Sequence, residues 1–364
     1  MIYLDHNATT PVDPEVIAAV VEGCARAWGN PASGHAAGRA AALALEQARA
    51  EVAALEGAEP DEIVFTSGGT EADNLAVFGA PPGRVVTSTI EHPAVSEAVT
   101  RSERPVTRLA VGVDGVVELP ASLPADTALV TLMLANNETG VLQPVRELAA
   151  LARAVGARVH TDAAQAVGKI PVDVNALDVD LLTVAGHKLY APKGVGALYV
   201  RRGTPLRPML VGGGQQGGRR PGTEAVSQVM GLGAAARIAA RRLAEDRARL
   251  EDLRDLLERE LAARVPGVVV TGAGRPRLPN TTHVRFPGVT GASVLARAPT
   301  IAASTGSACH AGLDHPSPVL SAMGLSAADA LGSVRLSLGR ATTRAEVTNA
   351  AEQLSAAWRE VRGG

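Results

Sequence analysis

Residues 180–200 read DLLTVAGHKLYAPKGVGALYV, two short apolar runs separated by a turn of small residues that carries two lysines. The chain has 35 lysine and arginine residues, and only Lys169, Lys188 and Lys193 among them are lysine. Lysine usually lies on the surface, so a lysine behind a strand, among small residues and beside His187, needs a particular reason. Burial lowers the pKa of a lysine and makes its amine a usable nucleophile. Lys188 is therefore the candidate nucleophile, and the alternative, a surface loop lysine, describes Lys193 better.

The composition is that of a soluble globular protein with a sizeable core. Of the 364 residues, 46% are hydrophobic and 20% are charged, and the net charge is −2. Both signs of charge are mixed along the chain, so we expect no nucleic-acid partner. The opening residues, MIYLDHNATTPVD, do not combine a positive region with an apolar run, and no uncharged apolar segment approaches about 18 residues. We therefore expect a cytoplasmic protein without a membrane segment.

The two cysteines differ in their surroundings. Cys24 and Cys309 are far apart and lack metal-ligand spacing, so we expect neither a disulfide framework nor a metal site. Cys24 lies within the amphipathic helical pattern VIAAVVEGCARAW and is predicted to pack in the core or fill a groove. Cys309 lies in ASTGSACHAGLDHPSPVL, where small residues and glycines are typical of an accessible and reactive thiol.

Helical patterns alternate with short β-branched runs from residue 14 onward. The predicted strands are EIVFTS, RVVTS, ALVTLMLA, ARVHTD, DLLTVAG and GALYV. Strands interleaved with helices predict an α/β fold with a mainly parallel sheet, which binds ligands at the carboxyl ends of its strands. Polar segments follow these strands, namely GGTEADN, TIEHPAV, NNETG, DAAQAVGK and AGHK. The predicted site is therefore built from these segments.

A second and smaller unit is predicted after a long helical stretch that begins near residue 224 and runs to about residue 263. It contains the predicted strands TTHVRF, TIAAS and SVRLSL and ends in the helical pattern TRAEVTNAAEQLSAAWREV. We predict a large α/β domain of residues 14–255, and a small domain of residues 1–13 and 256–364 that carries the segment around Cys309.

A pyridoxal phosphate site needs an amine for the aldehyde, a carboxylate for the ring nitrogen, a phosphate cradle and a cap on the ring face. Asp162, at the end of ARVHTD, is a candidate for the carboxylate, although an aspartate after a strand is also a common helix cap. Gln165 is close enough in sequence to reach the phenolic oxygen of the ring.

The phosphate is predicted to bind where TSGGTEADN joins a strand to a helix, at Gly69 and Thr70. This pattern alone is weak, because glycine-rich turns between a strand and a helix are frequent. His92 in TIEHPAV is a candidate to stack on the ring or shuttle a proton, or it has only a structural part. Arg335 in SVRLSLGR is a candidate for bidentate capture of a substrate carboxylate, or for a salt bridge on an edge strand.

The chain resembles the cysteine desulfurases and their relatives the selenocysteine lyases, within the fold-type I pyridoxal phosphate enzymes. The resemblance runs nearly end to end and is carried by YLDHNATTPVDPEV, WGNPAS, IVFTSGGTEADNLA, EHPAV, LMLANNETGVLQPV, HTDAAQAVGKIPVDV, GHKLYAPKGVGALYV, GGGQQGGRRPGTEA, STGSACHAG and VRLSLGR. It implies a mainly parallel seven-stranded sheet in the large domain and a smaller α+β C-terminal domain. It also implies a homodimer whose site is built across the subunit interface.

The resemblance implies a role for each residue that contacts the cofactor ring or the substrate. Lys188 would bind pyridoxal 5'-phosphate and His92 would stack on its ring. Asp162 and Gln165 would contact the ring nitrogen and the phenolic oxygen. The remaining roles, carboxylate binding and sulfur capture, would fall to Asn137, Arg335 and Cys309.

The resemblance also implies the residues that hold the phosphate. These are Gly69, Thr70, His187 and Thr223 of the partner subunit, with Arg220 nearby. Many family members have a serine two residues before the histidine of GHK, and here that position is Ala185. One hydroxyl contact is therefore absent, and we expect weaker cofactor retention rather than loss of activity.

The implied reaction removes sulfur from L-cysteine, gives L-alanine and leaves a persulfide on Cys309. A sulfur-acceptor or scaffold protein would then receive the sulfur, for iron–sulfur cluster assembly or thiolation. A selenocysteine lyase is the main alternative, because WGNPAS, LMLANNETG and RRPGTEA resemble that branch closely. An aminotransferase on the same fold would not need Cys309, and a non-catalytic binding protein would not need Lys188.

Overall fold

The structure is a computed structural model that describes residues 1–306 and 316–363. Its strands are β1 (Ile2–Tyr3), β2 (Ile63–Thr66), β3 (Arg84–Ser88), β4 (Val106–Leu109), β5 (Thr127–Thr131), β6 (Arg158–Asp162), β7 (Leu181–Ala185), β8 (Gly196–Val200), β9 (Val269–Val270), β10 (Thr281–Arg285), β11 (Ile301–Ala302) and β12 (Ser333–Ser337). Its helices are α1 (Pro14–Arg26), α2 (Ala36–Glu56), α3 (Gly69–Gly79), α4 (Pro93–Arg101), α5 (Val145–Ala154), α6 (Val174–Leu177), α7 (Val226–Arg264), α8 (Gly291–Arg297), α9 (Pro318–Ala322), α10 (Ala327–Leu331) and α11 (Arg344–Gly363).

The central sheet has seven strands in the order β2-β8-β7-β6-β5-β3-β4. Neighbouring strands from β7 to β4 run parallel, and β8 is antiparallel to both of its neighbours. Every residue of β7 and of β8 is buried, as expected for strands that are covered on both faces. The expected seven-stranded, mainly parallel sheet is confirmed. Because β3, β5, β6 and β7 are parallel, the polar segments that follow them lie along one edge of the sheet.

A second, three-stranded sheet has the antiparallel order β12-β10-β9. Its apolar side chains belong to a hydrophobic cluster with α8, α11 and the C-terminal half of α7, and Ile2 and Leu4 also contribute to this cluster. The N-terminal half of α7 packs instead in the cluster that includes α2 and the large sheet. The single helix α7 therefore connects two hydrophobic cores.

The environment predicted for Cys24 is wrong, because the structure has this residue exposed. Helix α1 faces α7 through Gly23, where an added Cβ would lie 2.7 Å from Ser227 Cα. Such close backbone approach requires glycine at this position. The next residue along a helix points about 100° away, so Cys24 faces outward.

Three strands of the structure, β1, β4 and the two-residue β9, were not predicted from the sequence. β4 is an edge strand of four residues, none of whose side chains except Leu109 is buried. β1 has two residues and pairs with β11. No described helix combines the length and the apolar character needed to cross a membrane.

Candidate active site

The turn that follows β7 places Lys188 against the N-terminal segment of the chain. Gly186–Lys188 forms a single 3₁₀ turn directly after the strand. Lys188 is half-buried, and its Nζ donates a hydrogen bond to Asn7 O at 2.6 Å. Lys193, five residues further on, is exposed. The two lysines of this turn therefore differ in environment in the way that the sequence predicts.

Asn7 binds several residues of the site, and sequence reasoning did not identify it. Its carbonyl oxygen also accepts a hydrogen bond from Gln165 Nε2 at 3.0 Å, so Lys188 and Gln165 converge on one atom. Nearby, Thr9 Oγ1 lies 3.1 Å from His187 Nδ1. The sequence signal was the polar run DHNATT directly after the first apolar residues.

Asp162 ends β6 and is only 7% exposed. Its Oδ1 accepts a hydrogen bond from Ala164 N at 2.9 Å, so one oxygen has the capping role that is common for aspartate after a strand. Its negative charge acts on His92, where it opposes the lowering of the pKa by burial. The carboxylate and the imidazole therefore belong to the same site.

Two buried acids that sequence reasoning missed lie close to Asp162. Burial, with a smaller contribution from the Asp162 charge, raises the pKa of Glu91 to about 8 against the opposing effect of hydrogen bonds from Ser88 and Met133. Burial also raises the pKa of Asp73 well above its ordinary value, and again the Asp162 charge adds to the effect. Burial therefore favours the neutral form of both acids.

The turn between β2 and α3 forms a cradle that fits a phosphate. Gly68 has a φ of 152°, which favours glycine, and helix α3 begins at Gly69. At Gly196 of β8 an added Cβ would lie 2.8 Å from Gly68 Cα, so the strand approaches this turn closely. An added Cβ at Gly69 would lie 3.1 Å from Ala185 Cβ. The first N–H groups of α3 have no partner within the helix and suit an anion.

His92 caps helix α4 and also borders a cavity. Its Nδ1 accepts a hydrogen bond from Ala94 N at 3.1 Å, which leaves the ring proton on Nε2. Burial lowers the pKa of His92, so the ring is neutral at pH 7. The cavity has a volume of about 540 Å³, and its lining includes His92, Thr70 and Phe78. The structural and the functional interpretations of His92 are compatible with each other.

His187 is neutral for a similar reason. Burial, followed by the charge of Lys188, lowers the pKa of His187 to about 4. Its backbone oxygen accepts hydrogen bonds from Thr10 N at 3.0 Å and Thr10 Oγ1 at 2.9 Å. The N-terminal segment thereby holds the turn that carries Lys188.

Arg335 lies in β12 and is 3% exposed. Its Nη1 donates to Asn137 O at 2.9 Å, and its Nη2 donates to Asp5 Oδ1 at 2.8 Å. The structure therefore brings Asn137 and Arg335 together. It also shows the edge-strand salt bridge that was the alternative for Arg335, with Asp5, a partner that sequence reasoning did not identify. Asn7 Nδ2 lies 3.3 Å from the same Asn137 oxygen. The guanidinium is thus linked to the Lys188 region through two carbonyl groups.

The remaining candidates lie outside this network. Arg220 forms a bidentate salt bridge to Glu71 of α3, with its Nε 2.7 Å from Oε1 and its Nη2 3.2 Å from Oε2. This pair lies next to the phosphate cradle, because Glu71 is in the first turn of α3. Thr223 is exposed. Cys309 lies outside the described residues.

Comparisons with known proteins identify the family. Residues 2–349 match the family model described as Aminotransferase class-V. A cysteine desulfurase of Trichormus azollae is 46% identical over 365 aligned residues, which cover 97% of this chain and 91% of the relative. A selenocysteine lyase of Bos taurus is 42% identical and covers 100% of this chain and 94% of its own length.

A solved structure shows the same architecture. The NifS-like protein from Rickettsia africae is 31% identical, has a TM-score of 0.89 and covers 100% of both chains. Sequence and structure therefore agree over essentially the whole length. The chain belongs to the aminotransferase class-V family, within its group of cysteine desulfurases and selenocysteine lyases.

Proposed function

We propose that the chain is a pyridoxal 5'-phosphate-dependent cysteine desulfurase that converts L-cysteine to L-alanine and a protein-bound persulfide. One observation carries this proposal. The amine of Lys188 and the amide of Gln165 both donate to Asn7 O, and Asn7 is bonded in turn to the Asn137 carbonyl that also binds Arg335. A nucleophilic amine and a carboxylate-binding guanidinium are therefore parts of one hydrogen-bonded network.

The residues fit the cofactor at each of its polar ends. Gly68 and Gly69 leave space at the N-terminus of α3 for the phosphate, with Thr70 and His187 as further donors. Asp162 is suited to hold a proton on the ring nitrogen, because burial favours the neutral form of the two neighbouring acids. When it is bound, the cofactor supplies an electron sink for the carbon that carries the amino group. His92 is suited to cover one face of the ring with a neutral imidazole.

The substrate is positioned by charge and activated by the lysine. Arg335 binds the carboxylate of L-cysteine. Lys188, as a free amine, takes the proton from the substrate Cα. Its contact with Asn7 O holds the amine in place for this transfer.

Sulfur transfer requires the thiolate of Cys309. The thiolate attacks the sulfur of the substrate, an S–S bond forms, and the C–S bond breaks with its electrons remaining on carbon. The β-carbon then takes up a proton, Lys188 returns a proton to Cα, and the product leaves as L-alanine. Cys309 lies outside the described residues, so its role rests on the resemblance of STGSACHAG to the family. A sulfur-acceptor or scaffold protein would remove the sulfur.

We also propose a homodimer and the division into domains given above. Thr223 is exposed in a single chain, as expected of a residue that completes the site of a second copy. Several large apolar side chains of α1, α2 and neighbouring loops are exposed and suit a subunit interface, namely Ile17, Val21, Trp28, Leu43 and Val211. The two hydrophobic clusters joined by α7 support a large domain of residues 14–255 and a small domain of residues 1–13 and 256–364.

The experiment is to incubate the yellow purified protein with L-cysteine and to measure alanine, sulfide and the mass gain of one sulfur on Cys309. Borohydride treatment should fix a pyridoxyl group on Lys188. Cys309→Ala should keep the cofactor absorption and lose desulfuration. Persistent sulfide release by Cys309→Ala would refute the assignment of the nucleophile.

A selenocysteine lyase is the second candidate, favoured by the 42% identity to the Bos taurus enzyme over the whole chain. Selenium leaves carbon more readily than sulfur, so Cys309 would matter less for that reaction. Two results together would favour this function. Cys309→Ala would still turn over L-selenocysteine, and the unmodified protein would show negligible turnover of L-cysteine.

A further inference from the structure

The third lysine of the chain, Lys169, lies beside the site and has no part in the reaction described above. Its Nζ donates to Gln165 Oε1 at 2.9 Å and to Asn7 Oδ1 at 3.1 Å. The residue is half-buried. Burial, together with the charges of Lys188 and Arg335, lowers the pKa of its amine well below the ordinary value. A lysine in this position is costly, because a surface lysine would avoid this desolvation.

The turn after β6 places Lys169 and Gln165 side by side. Val167 N donates to Ala163 O at 3.0 Å and Ile170 N donates to Ala166 O at 3.1 Å, so the segment folds through two consecutive tight turns. These turns bring Lys169 back to Gln165, whose Oε1 its Nζ contacts.

Close packing holds this turn against the segment that carries Lys188. Gly168 has a φ of 74°, and an added Cβ there would lie 2.1 Å from Leu189 Cδ1. The glycine thus lets the turn pack directly on the residue that follows Lys188.

The hydrogen bonds fix which end of each amide faces Lys169. Asn7 Nδ2 donates to Asn137 O and to Thr281 Oγ1, so Asn7 Oδ1 points toward the lysine. Gln165 Nε2 donates to Asn7 O, a carbonyl that can only accept. Gln165 Oε1 must therefore face the lysine. An amide NH₂ has two protons, and one of the two on Gln165 remains for a further acceptor.

We propose that Lys169 is a positioning residue that holds Gln165 Oε1 and thereby directs the second N–H of Gln165 toward the phenolic oxygen of the cofactor. The inference rests on the proposed cofactor site. A donor to this oxygen stabilises its negative charge and makes the linkage between Lys188 and the cofactor release its proton at lower pH. The substitution Lys169→Met leaves Gln165 Oε1 without its donor and lets the amide turn away.

The substitution leaves the other titratable and charged side chains around the linkage in place. They come from every element packed against the site, namely Asp5 and His6 of the N-terminal segment, Asp73 of α3, Glu91 and His92 before α4, Asp162 of β6, His187 of the turn after β7 and Arg335 of β12. His92 and His187 are neutral near pH 7. The charge of Lys169 would also act directly on Lys188 and shift the pH at which the linkage releases its proton. A double-mutant cycle separates this direct effect from the effect through Gln165.

The experiment follows the visible absorption of the cofactor-loaded protein as a function of pH in four forms: unmodified, Lys169→Met, Gln165→Met and the double variant. We expect Lys169→Met to raise the pH midpoint by about one unit, since one hydrogen bond to a charged oxygen has an effect of this order. In the Gln165→Met background, Lys169→Met should cause no further shift. Lys169→Gln, which restores one amide donor, should return the midpoint part of the way.

Lys193→Met is the matched control, because Lys193 is exposed and should leave the midpoint unchanged. An unchanged midpoint in Lys169→Met, or an equal shift in both backgrounds, would overturn the proposal. If Lys169→Met fails to fold, the midpoint of Lys169→Gln decides alone. A midpoint equal to that of the unmodified protein would then count against the positioning role of Lys169. Failure of the cofactor site itself would appear separately, as no pyridoxyl group on Lys188 of the unmodified protein after borohydride.

Discussion

Glu56 should lower the free energy of unfolding as the pH rises, and Glu56→Gln should remove this contribution. Glu56 is the last residue of α2, is fully buried, and neither of its carboxylate oxygens has a hydrogen-bond partner among the described residues. Burial raises its pKa from the ordinary 4.5 to about 8. The negative end of the α2 dipole also disfavours a charge at this position.

The sign and the size follow from proton linkage. Between the two pKa values the folded protein holds a proton on Glu56 that the unfolded chain has released, so raising the pH favours unfolding. The slope is about 1.4 kcal/mol per pH unit, and the loss between about pH 5 and pH 8 is on the order of 3 kcal/mol. For a chain of this length each kcal/mol shifts the melting temperature by roughly 1–2 °C. Glu56→Gln should therefore gain about 3–6 °C relative to the unmodified protein over this range.

The assay compares thermal unfolding of the cofactor-loaded protein and of Glu56→Gln from pH 5 to pH 8. A buried glutamine amide without partners has its own cost of about 1–3 kcal/mol, but this cost does not change with pH. The informative quantity is therefore the change in the difference between the two melting temperatures. Glu118→Gln is the control, because Glu118 is exposed. A difference between unmodified protein and Glu56→Gln that is constant with pH would refute the reasoning.

Four further predictions follow from the site. Ala185→Ser should slow cofactor loss on dialysis by about tenfold, because it adds a hydroxyl beside Gly69, and an unchanged loss rate would argue against a phosphate there. Asp5→Asn should raise the KM for cysteine more than it lowers kcat, because Arg335 loses its charged partner, as steady-state kinetics would show. Glu91→Gln should change turnover at pH 7 by less than about twofold, because a buried protonated acid and an amide are both neutral. Gly168→Ala should destabilise the fold by at least about 2 kcal/mol in chemical denaturation, because its Cβ would overlap Leu189.

The sequence predicted those parts of the architecture that depend on the local pattern of apolar and polar residues. The continuous apolar runs of β7 and β8 are buried on both faces, and the polar segments after the parallel strands lie at their carboxyl ends. The edge strand β4 escaped prediction because it has only four residues and most of them are partly or fully exposed. Cys24 was assigned to the buried face of α1, although it is exposed. The contact that orients α1 is between Gly23 and Ser227, which are distant in sequence, so no local pattern reports it.

The site was predicted residue by residue, but its connections were not. Asn7 and Lys169 are 162 residues apart, and no local pattern reports that an amide from the N-terminal segment meets a lysine that follows β6. The same is true of Asp5 and Arg335, which are 330 residues apart. Sequence motifs therefore pointed to the side chains that we propose would touch a cofactor. The residues that hold those side chains in place emerged only from the fold.

Burial shifts the pKa values of several ionisable groups around Asp162 toward their neutral forms. It raises the pKa values of Glu91 and Asp73 and lowers those of His92 and His187. A positive ring nitrogen bound next to Asp162 would interact strongly with it, because this carboxylate is buried and largely shielded from water. The neighbouring acids and histidines, whose neutral forms are favoured by burial, would compete little with that interaction.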